Sequence, residues 1–255
     1  AYSWEAKYGH YDYRGGGRAS ARETAIRVVA GALCKQLIST KDIAILGYIT
    51  QIGKVKANVN VLDVTQSDVV NSELFCPDPV ATQMMMDELA ILKTTGDSAG
   101  GIVEVVIKGL PPGLGEPVFD KLQADLAKAM LSINAAKGFS YGEGYHAAEL
   151  YGSQHNDPFE NVDNIVKPAS NHAGGILGGI STGEPVWFSV AFKPVASIKR
   201  NQLTVDKHGK PLKLSIKGRH DVTIVPRAVA VVEAMAALVI ADHMLLSGMI
   251  DHKLL

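Results

Sequence analysis

Gly101-Ile-Val-Glu-Val-Val-Ile-Lys-Gly-Leu110, closed by Pro111-Pro-Gly-Leu-Gly115, is the stretch from which the fold is read. It is a β-branched strand ended by a breaker sequence. Just beyond it, Phe119, Leu122, Leu126, Met130 and Ile133 recur at helical spacing and predict a helix running to Asn134. Upstream, Ala81 to Thr94 reads as a helix stopped near Gly96, while Ile43 to Gly53 and Val55 to Val61 read as strands. Further upstream, Ser20-Ala-Arg-Glu23 has the spacing of a capping box. It predicts a helix over about residues 20–38, with Ile26, Val29, Leu33 and Leu37 as its apolar face. Downstream, Val186 to Phe192 alternates as a strand. Residues 199–212 are polar and carry the turn signal Asp206-Lys-His-Gly209, so a β-ribbon or mobile loop is expected. Pro226 opens a long helix to about residue 247, apolar nearly all round, which must lie in a core or an interface. Strands and helices mix without doubly wound alternation, and no low-complexity linker intervenes. The expectation is an α/β fold of the α+β type in one domain, residues 1–255.

Composition narrows the functions. The 255 residues are 47% hydrophobic and 20% charged, a globular balance. Against 26 acidic residues stand 25 basic ones, so nucleic acid is not the expected partner. Cys34 and Cys76 make no disulfide framework and no metal pattern, and read as two buried thiols in a reducing compartment. The apolar stretch Ala234 to Ala241, bounded by Glu233 and Asp242, is too short to span a bilayer. With no signal peptide visible, no membrane and a cytoplasmic location are expected. The first residue is Ala1 and the chain opens inside a charged aromatic segment, which reads as a processed product or a fragment.

Four segments carry chemistry. Asp12-Tyr-Arg-Gly-Gly-Gly-Arg-Ala-Ser-Ala-Arg-Glu23 leads three glycines into a helix start, with Arg14, Arg18 and Arg22 around the turn. Free amides and guanidinium groups there make an anion site, against the plainer reading of a Gly-rich turn with solvated arginines. It fits neither GxGxxG nor a Walker loop. Ser170-Asn-His-Ala-Gly-Gly-Ile-Leu-Gly-Gly-Ile-Ser-Thr-Gly183 suits a backbone lying against a planar ligand or another backbone. Its His172 reads more simply as a hydrogen-bonded structural histidine. Lys193-Pro-Val-Ala-Ser197 offers a Lys and a Ser for a phosphate. Lys217-Gly-Arg-His-Asp221, followed by Val225-Pro-Arg227, offers a cation, a titratable ring and a carboxylate, or simply a surface charge cluster, or an Asp221 that only pairs with an arginine.

Together these segments resemble chorismate synthases. The family pattern is matched at Asp12 to Glu23, at Asn171 to Ser181, at Lys217 to Asp221, and at Val225 to Ala228. Gly113 to Asp120 and Ser132 to Ala135 match as well, so the resemblance runs from end to end. It implies a layered β-α-β sandwich, a homotetramer, and a lyase reaction. In that reaction 5-enolpyruvylshikimate 3-phosphate loses phosphate and a hydrogen by 1,4-anti elimination to give chorismate. Reduced FMN is the implied cofactor, with NADPH only as a possible reductant, and no metal.

Carried over by position, the flavin contacts are Arg18, Ala19 and Ser20, then Asn134 and Ala135, then Gly178, then Lys193, Pro194, Val195, Ala196 and Ser197, then Arg219. Ala19 replaces a more usual Ser, and Val195 and Ala196 replace Thr and Ser. Arg14, Arg18 and Arg219 match cations for a trianionic substrate. Asp221 and Ser20 match groups of the catalytic centre, Asp221 as a proton-handling carboxylate. The family's opening segment and its two proton-handling histidines have no counterpart, and His10, His172 and His220 do not replace them. The resemblance therefore also implies a non-catalytic core retaining fold and assembly, with these 255 residues inactive by themselves. A flavin reductase is a third reading, for which no nicotinamide fingerprint is present. Gly96 to Asp120 echoes the family's opening, with Ala99 where that copy has His, and reads as a structural repeat.

Overall fold

The structure of the protein, a computed structural model, describes residues 2–12, 17–206, 208–216, 218 and 220–251, and of Arg18 the backbone only. In chain order the helices and strands are α1 (Tyr2–Tyr8), α2 (Thr24–Ser39), β1 (Ala44–Ile52), β2 (Val55–Lys56), α3 (Gln66–Val70), α4 (Pro79–Thr95), β3 (Gly101–Lys108) and α5 (Leu122–Leu131). There follow β4 (Ala136–Tyr141), α6 (Gly152–His155), β5 (Phe159–Val162), β6 (Ile165–Pro168), β7 (Ile176–Leu177), β8 (Ile180–Ser181) and β9 (Val186–Phe192). The chain then forms β10 (Gln202–Val205), β11 (Pro211–Leu214) and α7 (Val225–Leu246).

The β-branched run of β3 sits at the centre of an antiparallel sheet ordered β2-β1-β3-β9-β4. Its pleat sends Val103, Val105 and Ile107 into the main core and Val106 to the opposite face. There Leu46, Tyr48 and Val106 meet Val64 and Val69 from the segment after β2. That explains a shortened strand: the run to Val61 pairs only at Val55–Lys56, and the rest lays Val59 and Val61 on this face. In β9, Val186, Phe188, Val190 and Phe192 alternate into the main core.

Helices α2, α5 and α7 cover that core face, giving the layered α+β architecture. Over its 22 residues α7 is apolar enough, by length and composition, to cross a bilayer. The packing accounts for that apolarity, because Val232, Ala236, Ala237 and Ile240 are fully enclosed. Glu233 and Asp242 thus interrupt a longer apolar helix than the run between them suggests.

The start and the face of α2 both differ from expectation. Ser20 caps a 3-10 turn, its Oγ accepting the Arg22 amide at 3.4 Å, and Glu23 pairs with Arg27 at 3.0 Å instead of reaching back. The α-helix itself begins at Thr24. Its packed face is Thr24, Val28, Gly31 and Ile38. Ile26, Val29 and Leu33 stay 71%, 59% and 65% exposed. The reason is close approach to α7: a Cβ on Gly31 would lie 2.3 Å from the Ala234 Cβ, so the helices cross on small residues rather than on the larger apolar stripe. Likewise α5 begins only at Leu122, leaving Phe119 in an exposed loop.

Two Gly-rich segments interlock. Ser181 donates from Oγ to the Pro111 carbonyl at 2.7 Å and accepts the Leu114 amide at 2.9 Å. A Cβ on Gly115 would lie 2.3 Å from the Gly179 carbonyl oxygen, so backbone meets backbone there. The polar stretch near residue 206 is the ribbon β10–β11, turned through Asp206 to Gly209.

Candidate functional site

Ser20, Asn134 and Asp221 come from three motifs far apart in sequence, yet they line one cavity of about 480 Å³. Each is brought there by an element end. Ser20 lies at the turn feeding α2, Asn134 just past α5, and Asp221 just before α7. Asn134 donates from Nδ2 to the Ala19 carbonyl at 3.1 Å, tying the first motif to the second. Ala135 follows with φ of 71°, a left-handed conformation unusual for a residue with a Cβ. Its carbonyl accepts the Lys193 amide at 3.0 Å, which joins the third motif. Ile133, Phe192, Ile224 and Val231 form the apolar wall, and Arg22 and Arg227 also line the cavity.

Asp221 is also part of a neighbouring cavity of about 420 Å³, with Lys93, Asp97, Ser197, Lys199 and His220. The Val195 carbonyl accepts Ser98 Oγ at 2.7 Å. Asp97 pairs with Arg200 at 2.7 Å, and that guanidinium, with the Ser98 amide, holds its carboxyl below the usual range. The two cavities have Asp221 in common, one walled by apolar side chains and the other by Lys93, Lys199, Ser197 and a second carboxylate, Asp97.

Gly178 lies elsewhere. It is in the β7–β8 turn and lines a third cavity of about 510 Å³ with Tyr141, His155 and His172. The Leu122 amide at the start of α5 donates to Gly179, while Asn134 follows the other end. The ten residues of α5 put about 15 Å between those ends. Beside His172 of that cavity, Asp157 accepts from Ser170 Oγ and from the amides of His172 and Ala173, and pairs with His172 Nδ1 at 2.8 Å. Burial would raise its carboxyl, but these bonds outweigh it and hold the value down to about 2. His172 is thus a hydrogen-bonded structural histidine. Arg14, Arg219 and the Arg18 side chain lie outside the described residues.

The plainer reading of the fourth segment, that Asp221 pairs with an arginine, is met by Arg227. Arg227 grips Asp221 with Nη1 to Oδ2 at 2.8 Å and Nη2 to Oδ1 at 3.1 Å. The signal available was a carboxylate six residues ahead of an arginine in a helix's first turn.

A family model described as chorismate synthase matches residues 1–245. Curated chorismate synthases from Roseiflexus castenholzii and Chloroflexus aurantiacus are each 51% identical over 245 residues, covering 96% of this chain and 67% and 66% of theirs. The one from Methanosarcina barkeri is 51% identical over 255 residues, all of this chain and 70% of its own. The chain therefore spans about two thirds of the length of the relatives it matches. A solved structure, described as the crystal structure of chorismate synthase, superposes with a TM-score of 0.80 at 32% identity, covering 96% of this chain and 70% of that one. The fold, the converging motifs and these likenesses agree, and the chain belongs to the chorismate synthase family.

Proposed function

We propose that the protein containing this chain converts 5-enolpyruvylshikimate 3-phosphate to chorismate by 1,4-anti elimination of phosphate, with reduced FMN as cofactor. The observation that carries the reading is the meeting of Ser20, Asn134 and Asp221 in one cavity. Asn134 and Ser20 would hold polar edges of the flavin ring over the wall of Ile133 and Phe192. Lys193 and Ser197 would hold its phosphate. Reduced flavin supplies transient electron density to a reaction with no net redox change. Asp221 holds and moves a proton at its carboxylate oxygens. Arg14, Arg18 and Arg219 would bind the trianion, because several cations are needed to offset its charge. Gly178 joins the flavin set only if a second copy brings its turn to the cavity, which accords with a homotetramer. NADPH serves at most as reductant, and the setting is cytoplasmic. One domain spans residues 1–255.

A second reading concerns these 255 residues by themselves: a core with the fold and the assembly but no turnover. It is favoured by the missing counterparts of the family's two proton-handling histidines. Each such group is worth about 10²–10⁴ in rate. Anaerobic assay of chorismate formation with chemically reduced FMN, and separately with NADPH, divides the readings. A longer protein is made by joining the opening segment of a chorismate synthase relative to this chain; chorismate made only by that longer protein supports both proposals. Absence of chorismate from the longer protein sinks the first, and substantial chorismate from this chain sinks the second.

A further inference from the structure

Asp221 and Arg227 form a bidentate pair on the wall of the Ser20–Asn134 cavity, with both carboxylate oxygens engaged at 2.8 and 3.1 Å. The pair is poor structural glue. Arg227 is 71% exposed and Asp221 36%, so water screens the attraction. The backbone around them is already fixed. The Arg227 and Ala228 amides donate to the Ile224 carbonyl, and the Val222 carbonyl accepts the Ala99 amide. A weak, well-aligned pair facing a cavity is suited to exchange. A phosphate or carboxylate group offers a guanidinium the same two-pronged geometry that Asp221 offers.

We infer that Arg227 is an exchange latch: it pairs either with Asp221 or with the anionic group of a ligand in this cavity, and not with both. Transfer of Arg227 to the ligand releases both Asp221 oxygens from the guanidinium, so the carboxylate can turn to hydrogen-bond the seated ligand. Arg227 is thus a positioning residue that acts through Asp221. The role of the freed carboxylate rests on the functional reading above; the exchange itself does not.

The test is titration of the 255-residue chain with inorganic phosphate at constant ionic strength, followed by calorimetry and by the Arg227 Nε–H signal in NMR. Thermal unfolding checks that each variant is folded. Asp221→Asn removes the competitor, so phosphate should bind about 2–5-fold tighter, the scale of the exposed ion pair that no longer has to be broken. Arg227→Ala should weaken binding, and Arg227→Lys, which keeps the charge but not the fork, should fall between. In the Arg227→Ala background, Asp221→Asn should have no further effect. Simple removal of a repelling carboxylate predicts the same tightening in both backgrounds, and that result overturns the latch. No tightening in Asp221→Asn, or no phosphate response at Arg227 in any variant, overturns it as well. Absent turnover by the longer protein would defeat the functional reading and leave this pattern of signs intact.

Discussion

Glu104 faces Tyr48 across β1 and β3, on the side of the sheet that Val64 and Val69 help to cover. Burial pushes its carboxyl up to about 7, only slightly offset by the nearby phenol. The Tyr48 hydroxyl itself reaches no partner in hydrogen-bond geometry among the described residues, so burial dominates at this pair. The folded protein therefore keeps a proton that the unfolded chain has released. Stability present below about pH 4.5 is lost as the pH rises to about 7, and above that the loss is complete. A shift of this size amounts to about 3–4 kcal/mol. Urea titrations from pH 4 to 8 should show the decline, and Glu104→Gln should remove that component of the slope. An unchanged slope in the variant would mean that the carboxyl is better solvated than its position indicates. The same scale shows the reach of sequence reading. Ser20, Asn134 and Asp221 were legible because each sits in a motif. An arginine partner for Asp221 was legible too, but which arginine was not, because Arg227 lies across a loop–helix junction, where neither period 2 nor period 3.6 applies.

Between elements, the α2–α7 crossing decides most. Gly31→Ala would gain about 1 kcal/mol of helix propensity and pay about 1–3 kcal/mol for overpacking against Ala234. With the Ala234 Cα also 2.4 Å and its carbonyl oxygen 2.8 Å from the new Cβ, overpacking should win and the denaturation midpoint should fall. Gly152→Ala, where a Cβ meets nothing, is the control and should be close to neutral. A second tie is Glu233, which accepts the Gly47 amide of β1 at 2.6 Å and pairs with Lys35 of α2. It joins sheet to helical layer, and Glu233→Ala should cost about 1–3 kcal/mol by leaving polar partners unsatisfied. Lys35→Ala should cost less, since the Gly47 bond survives; equal losses would assign the effect to the ion pair. The apolar period of α2 revealed a helix but pointed to the wrong face. Periodicity weighs side chains by size, whereas close helix approach selects the smallest.

For the molecule as a whole, apolar side chains left in water are the main feature. Besides Ile26, Val29 and Leu33 on α2, Phe159, Ile165 and Val166 are exposed on the β5–β6 hairpin, and Leu203 and Val205 on the ribbon. A two-stranded ribbon is marginal by itself in water. An apolar dye such as anilinonaphthalene sulfonate should therefore fluoresce with the native chain. Replacing Ile26, Val29 and Leu33 together by Gln should lower that signal without changing the far-ultraviolet circular dichroism. Equal dye binding by the variant would move the responsible surface to the hairpins.

The position of α7 in the core has a consequence for how the chain is made. Every strand of the main sheet precedes α7 in sequence, yet α7 packs on β1, β3, α2 and α5. Synthesis runs at about 5–20 residues per second. The sheet therefore leaves the ribosome seconds before the helix that covers its apolar face. In that interval Val103, Val105 and Ile107 have no α7 to lie against. The nascent protein should then depend on holding chaperones until α7 emerges, and a ribosome stalled just before Val225 should carry a protease-sensitive chain.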